Sequence, residues 1–116
     1  MNLLNNIMLK AIPNKFGNPL IKFEKIKNFV NTCKVTGDKE ECNIELEYIP
    51  NEFLIEIGSY REMMAQERHQ YIEEICQDVF ETIKKVVKPK YLKVTIHLLD
   101  DKLTPWTVTL NTDENI

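Results

Sequence analysis

The chain has 116 residues, 43% hydrophobic and 28% charged, with a formal net charge of −3. That length supports one modest core, and the apolar content excludes a disordered chain. No apolar run nears the roughly 18 residues of a membrane span, and the negative charge argues against indiscriminate nucleic-acid binding.

Met1-Asn2-Leu3-Leu4-Asn5-Asn6 lacks the basic region and long apolar stretch of a secretory signal, so a cytoplasmic protein is expected. Residues 1–17 yield no assignable element. Pro13, Asn14 and Gly17 punctuate them, and Asn18-Pro19 marks a turn. From Leu20 to Val30, Ile21, Phe23, Ile26 and Phe29 mix with charged neighbours at near-alternate spacing, which predicts a strand with room for a bulge. Lys22, Lys25, Lys27 and Lys34 crowd this segment, a local basic patch in an acidic chain. Thr36-Gly37-Asp38 then breaks the strand.

Ile44, Leu46 and Tyr48 alternate with Asn43, Glu45 and Glu47, the period-2 signature of a half-buried strand that ends at Pro50-Asn51. Phe53 to Ile57 are a short extension or a loop edge. Ser59, with Glu62 at capping-box spacing, is a candidate start for the helix that follows, the alternative being an intervening loop. One helix is clear: Tyr71, Ile72, Ile75, Cys76, Val79, Phe80, Ile83, Val86 and Val87 follow the 3.6-residue period until Pro89. Strands follow over Tyr91–Leu99 and Trp106–Leu110, with Asp100-Asp101-Lys102 as the turn between them. The order is two strands, helical material, two strands: an α+β single domain with helix packed on one face of an antiparallel sheet.

Three cysteines, Cys33, Cys42 and Cys76, are an odd number for a disulfide framework, and neither they nor His69 and His97 have metal-ligand spacing, so no metal is expected. Cys76 falls on the apolar helix stripe, and Cys42 is likewise expected to be structural. Cys33 differs. It sits on the turn-forming peptide Cys33-Lys34-Val35-Thr36-Gly37-Asp38-Lys39-Glu40, with an acid seven residues on at the mouth of a strand. Such a pair can bring a thiol and a proton donor to one place. Taken alone, it reads as a small semi-buried structural residue beside a solvated acidic turn. Trp106 and Met63-Met64 are expected in the core or at a contact with a neighbouring subunit.

Thr32-Cys33-Lys34-Val35-Thr36-Gly37-Asp38-Lys39-Glu40, then Glu47-Tyr48-Ile49-Pro50, then Pro89-Lys90-Tyr91-Leu92-Lys93-Val94 resembles, in order, the 7-cyano-7-deazaguanine reductase (QueF) family. The resemblance covers about residues 20–112. It implies the tunnelling fold, in which ββααββ subunits join their sheets into a ring, a homo-pentamer or decamer, with sites at subunit interfaces. By position it also implies that Cys33 attacks the nitrile carbon to form a covalent thioimide and that Glu40 assists by proton transfer. Glu73 then reads the guanine-like edge of the substrate, with Glu74 as the alternative one residue along.

The chain departs from the family pattern at several places. Glutamate stands at the acid position where the family has aspartate, with Asp38 as a competitor. Ile72 replaces a histidine, for which His69 is a shifted stand-in. Between Tyr48-Ile49-Pro50 and the helix, where the reductases carry a lysine-bearing NADPH motif, Asn51–Arg61 contain no lysine. The resemblance is therefore placed with the short QueF-like amidinotransferases of archaeosine formation. These add ammonia to the nitrile of 7-cyano-7-deazaguanine in tRNA, with DNA or the free base as further substrates to consider. NADPH is not expected on this basis. The other readings are an NADPH-dependent nitrile reductase and a non-catalytic homologue that binds deazaguanine or nucleic acid.

The chemistry suits these residue types. A thiolate is a far better nucleophile for a nitrile than serine near neutral pH. The nitrogen must gain a proton as the C–S bond forms, so a carboxylic acid belongs beside it. A carboxylate on the helix matches the two parallel donors of a guanine-like edge.

Overall fold

The structure, a computed structural model, describes residues 8–25, 29–99 and 104–113. In chain order its elements are β1 (Ala11–Pro13), β2 (Ile21–Phe23), β3 (Phe29–Thr32), β4 (Lys39–Ile49), β5 (Phe53–Ile55), α1 (Ile57–Met64), α2 (Ile72–Val87), β6 (Tyr91–Leu98) and β7 (Trp106–Asn111). The alternating segment around Ile44 becomes the longest strand, β4, and the main sheet is arranged on it. β6 pairs antiparallel with one edge of β4 and β7 with β6, while β2 and β3 share the other edge. A two-stranded sheet of β1 and β5 lies apart from it.

The expected strand over Leu20–Val30 is thus two strands in different registers. Phe23 pairs with Leu46 and Phe29 with Cys42, so the register of β3 on β4 is shifted by two residues from that of β2. Ile26 and Lys27 lie outside the described residues, as do Met1–Asn6 and the expected turn Asp100-Asp101-Lys102.

Alternation sorts the sheet into two faces. Ile44, Leu46 and Tyr48 of β4 and Leu92, Val94, Ile96 and Leu98 of β6 are buried with Ile75, Cys76, Val79, Ile83 and Val87 of α2 and with Tyr60, Met63 and Met64 of α1. Each such aliphatic side chain removed from water contributes roughly 1.5–3 kcal/mol, which is what holds the helices to the sheet. Trp106 packs against the same core. The opposite face is polar: His97 Nε2 lies 2.9 Å from Glu45 Oε1, Thr95 and Thr109 hydroxyls are 3.0 Å apart, and Tyr91 donates to Glu47 at 3.2 Å.

α2 matches the periodicity closely. Glu73 and Glu74 occupy its first turn and Lys84 and Lys85 its last, each complementing the helix dipole. It ends at Lys88, a left-handed residue (φ 51°) directly before Pro89. α1 starts earlier than the Ser59 cap would allow. Glu56 is the N-cap: its carboxylate accepts from the N–H groups of Gly58 (2.6 Å) and Ser59 (2.9 Å). Ser59 is instead a buried strut, donating to the Glu56 carbonyl (2.8 Å) and accepting the Lys10 N–H beside β1 (2.9 Å). Ser59→Ala leaves that N–H without its partner and should lower unfolding stability by about 1–2 kcal/mol, read as a lower urea midpoint at unchanged m-value.

Candidate active site

β3 and β4 form a hairpin whose turn carries Cys33. The Cys33 N–H donates to the Asp38 carbonyl (2.8 Å) and the Gly37 N–H to the Cys33 carbonyl (2.9 Å). Gly37 has φ +77°, a conformation that glycine adopts without the Cβ clash of other residues. The Thr36 hydroxyl accepts the Asp38 N–H at 3.2 Å. Cys33 is half-exposed at this turn. The Thr36 hydroxyl, then the N–H groups of Thr36 and Val35, stabilise its thiolate and draw the thiol below its usual pKa; burial and the Glu40 charge oppose them.

Glu40 lies on β4 directly opposite Asn31 of β3, so the hairpin brings the thiol and the acid into one neighbourhood. Asn31 is fully buried, and its Nδ2 donates to Glu40 Oε1 (2.9 Å) and to the Gln70 carbonyl (2.7 Å). Its Oδ1 accepts the Gln70 N–H at 3.2 Å. The loop before α2 is thereby laced to β3, and the Thr32 N–H adds a bond to the Arg68 carbonyl (2.9 Å). Lys34, next to the cysteine, completes the link. Its Nζ is 3.3 Å from Glu74 Oε1 and 5.1 Å from the Tyr71 ring centre.

Of the two glutamates, Glu74 is engaged. It accepts the Tyr71 N–H (3.0 Å) and pairs with Lys34, and these hold its carboxyl below the usual range, the Tyr71 bond first. Glu73 is exposed in the same turn of α2 and has no hydrogen-bond partner among the described residues, which leaves its carboxylate open to a ligand. No bond joins Glu73 to Cys33 or Glu40; the two halves of the site meet through Lys34, Asn31 and the loop. Asp38 gives its main-chain groups to the turn. His69 is exposed on the α1–α2 loop beside Ala65, Gln66 and Glu67 and bonds none of these residues. Cys42 and Cys76 are buried, and burial pushes their thiols up to about 12 and about 11, far from a reactive thiolate.

Asn31, Lys34 and Arg68 are absent from the sequence-based site. Asn31 had a signal: it stands two residues after Phe29, on the inward side of a short strand, where a polar residue needs a buried partner.

No protein-family model matches the chain. A protein of Nitratidesulfovibrio vulgaris, an NADPH-dependent 7-cyano-7-deazaguanine reductase, is 31% identical over 90 residues, which are 75% of this chain and 54% of that protein. The archaeosine synthase of Pyrobaculum calidifontis is 29% identical over 68 residues, 57% of this chain and 62% of that one. The chain is a QueF homologue. A solved structure of the archaeosine synthase QueF-Like, in the apo form, shares the fold of this homologue with a TM-score of 0.71 at 23% identity, covering 79% of this chain and 91% of that one. The QueF homologue described here spans between about half and two thirds of the length of the first reductases it matches.

These relatives correct the expectation about cofactors. Several are NADPH-dependent, so a dinucleotide requirement does occur among proteins related to this QueF homologue, and a missing lysine motif is no ground for expecting none. The segment that suggested the absence, Asn51–Arg61, is a turn, β5 and the first turn of α1. It carries Glu52 and Glu56, and the Glu56 carboxylate already occupies the first N–H groups of α1.

Proposed function

We propose that this QueF homologue captures the nitrile of 7-cyano-7-deazaguanine on Cys33 and converts it to an amidine. The observation that carries this is the hairpin that puts a thiol held below its usual pKa beside Glu40, with the open carboxylate of Glu73 on the helix turn tied to it. The Cys33 thiolate adds to the nitrile carbon. The C–S bond forms as one C–N π pair moves to nitrogen, which takes the proton of Glu40, giving a thioimide. Ammonia then adds to the same carbon, the C–S bond breaks and Cys33 leaves as thiolate, while a proton from the incoming ammonia returns to Glu40. The net change is nitrile plus ammonia to formamidine. Glu73 accepts the two parallel N–H donors of the deazaguanine edge and orients the ring.

The likeness in fold to an archaeosine synthase covers nearly all of that chain and favours ammonia addition, with tRNA carrying the nitrile base as the substrate class. The reductase relatives favour a second outcome for the same thioimide, reduction to 7-aminomethyl-7-deazaguanine. Within the main sheet, β2 and β7 have no strand partner on their outer edges among the described residues, which suits a tunnelling-fold ring closed by neighbouring copies. Three free thiols suit a reducing, cytoplasmic setting.

Intact mass after incubation with the free nitrile base tests the capture: an adduct one substrate heavier is expected, and an unmodified protein rules out both enzymatic outcomes in favour of a binding role. Amidine formed in nitrile-bearing tRNA with ammonia alone assigns the amidinotransferase; oxidation of NADPH with the free base assigns the reductase.

A further inference from the structure

We infer that Asn31 is the positioning residue for Glu40, fixing which carboxyl oxygen carries the transferable proton; this rests on the proposed capture of a nitrile by Cys33. Asn31 is 0% exposed, and its side-chain amide is used in three directions. Gln70 decides how that amide is turned. The Gln70 N–H needs an acceptor, which must be Oδ1, and the Gln70 carbonyl needs a donor, which must be Nδ2. The second Nδ2 hydrogen is then aimed at Glu40 Oε1, 2.9 Å away.

An oxygen that accepts this N–H is the less favoured place for a proton, because the carbonyl oxygen of a neutral carboxyl is a better acceptor than its hydroxyl oxygen. A proton on Glu40 therefore sits on Oε2, which has no partner among the described residues. Oε2 is the atom that delivers the proton to the nitrile nitrogen as the C–S bond forms, and Asn31 keeps the carboxyl from rotating the wrong oxygen into its place. The same amide also bonds Gln70 ahead of the Tyr71 cap, but the Gln70–Asp78 bond (2.8 Å), the Thr32–Arg68 bond (2.9 Å) and the Lys34–Glu74 pair (3.3 Å) hold the substrate-reading turn without it. Glutamate has one more rotatable bond than an aspartate would have at this position. A clamp on one oxygen offsets that freedom and explains how the longer acid can stand at this position.

The test is the rate of thioimide adduct formation, followed by intact mass at several concentrations of the nitrile base. Asn31→Ser should lower the maximal rate about 10-fold or more while the half-saturating concentration stays within about threefold, because the amide acts on the proton and not on the ring. Combined with Glu40→Gln, Asn31→Ser should cost almost nothing further, since the group it positions is gone. If Asn31→Ser does not fold, Asn31→Thr, which keeps a donor and a strand preference, is read against the same two criteria. Wild-type rates in a folded Asn31 variant, or full additivity with Glu40→Gln, would overturn the assignment while leaving nitrile capture standing. A wild-type protein that forms no adduct overturns the proposed function itself, and the role of Asn31 in it.

Discussion

Cys33→Ala will form no adduct with 7-cyano-7-deazaguanine, and in the wild type the modified cysteine will be Cys33 alone. The two remaining thiols are internal controls: both are buried, and at pH 7 groups drawn up to about 12 and about 11 are almost wholly protonated. The sign of the Cys33 shift gives a second, independent readout. Alkylation by iodoacetamide should show a midpoint below the ordinary thiol value of about 8.5, because the Thr36 hydroxyl and the turn N–H groups favour the thiolate. Thr36→Val removes the largest of these and should move the midpoint up, slowing alkylation at neutral pH. Glu40→Gln removes a charge that opposes the thiolate, so it should move the midpoint further down and speed alkylation. The same substitution should slow nitrile capture by about 10²–10⁴-fold, because the nitrogen loses its proton donor. Faster alkylation with slower capture separates an acid from a residue that merely tunes the thiol. An adduct on Cys33→Ala, or Glu40→Gln moving both rates the same way, would sink the assignment.

How much of this was legible beforehand follows the range of the interactions. β4, α2 and β6 were readable because period-2 and period-3.6 patterns are local and a buried face repeats them. The split of Leu20–Val30 was not, since it depends on a register against Leu46 and Cys42 that only the partner strand defines. The start of α1 was misplaced for a similar reason. Ser59 has the right side chain for a cap, but the Lys10 N–H, 49 residues away in sequence, claims its hydroxyl, and Glu56 takes the cap. Cys33 and Glu40 could be paired in sequence by their seven-residue spacing across a turn. Asn31 and Gln70 could not, because the lacing of the α1–α2 loop to β3 is a long-range contact with no periodic signature.

Arg68→Ala should be strongly destabilising, by about 3–5 kcal/mol in urea unfolding. The residue is 1% exposed, yet no carboxylate lies within salt-bridge distance of it among the described residues. What holds it is the end of α1. Its guanidinium donates to the carbonyls of Met63 (2.8 Å), Met64 (3.1 Å) and Gln66 (2.9 Å), and its plane lies 5.5 Å from the Phe29 ring centre. The Met63 and Met64 carbonyls are among the last of the helix and lack intrahelical partners, so the cation answers both their hydrogen bonds and the negative end of the dipole. Burial draws its pKa down to about 10, with the Asp78 charge working the other way, so it remains charged at neutral pH. Arg68→Met should recover the packing but leave the carbonyls buried without donors, and so recover only part of the loss. Arg68→Lys keeps the charge without the fork that spans three carbonyls and should fall between wild type and alanine. The effect reaches the site as well. The Arg68 carbonyl accepts the Thr32 N–H one residue before Cys33, so loosening this loop frees the end of β3 and the Gln70 groups that Asn31 holds. Partial unfolding of the loop should therefore slow adduct formation in Arg68→Met at temperatures where circular dichroism still reports a folded protein. Wild-type stability in Arg68→Ala would mean that water replaces the guanidinium at the end of α1 without cost, and that the loop is held by the β3 contacts alone.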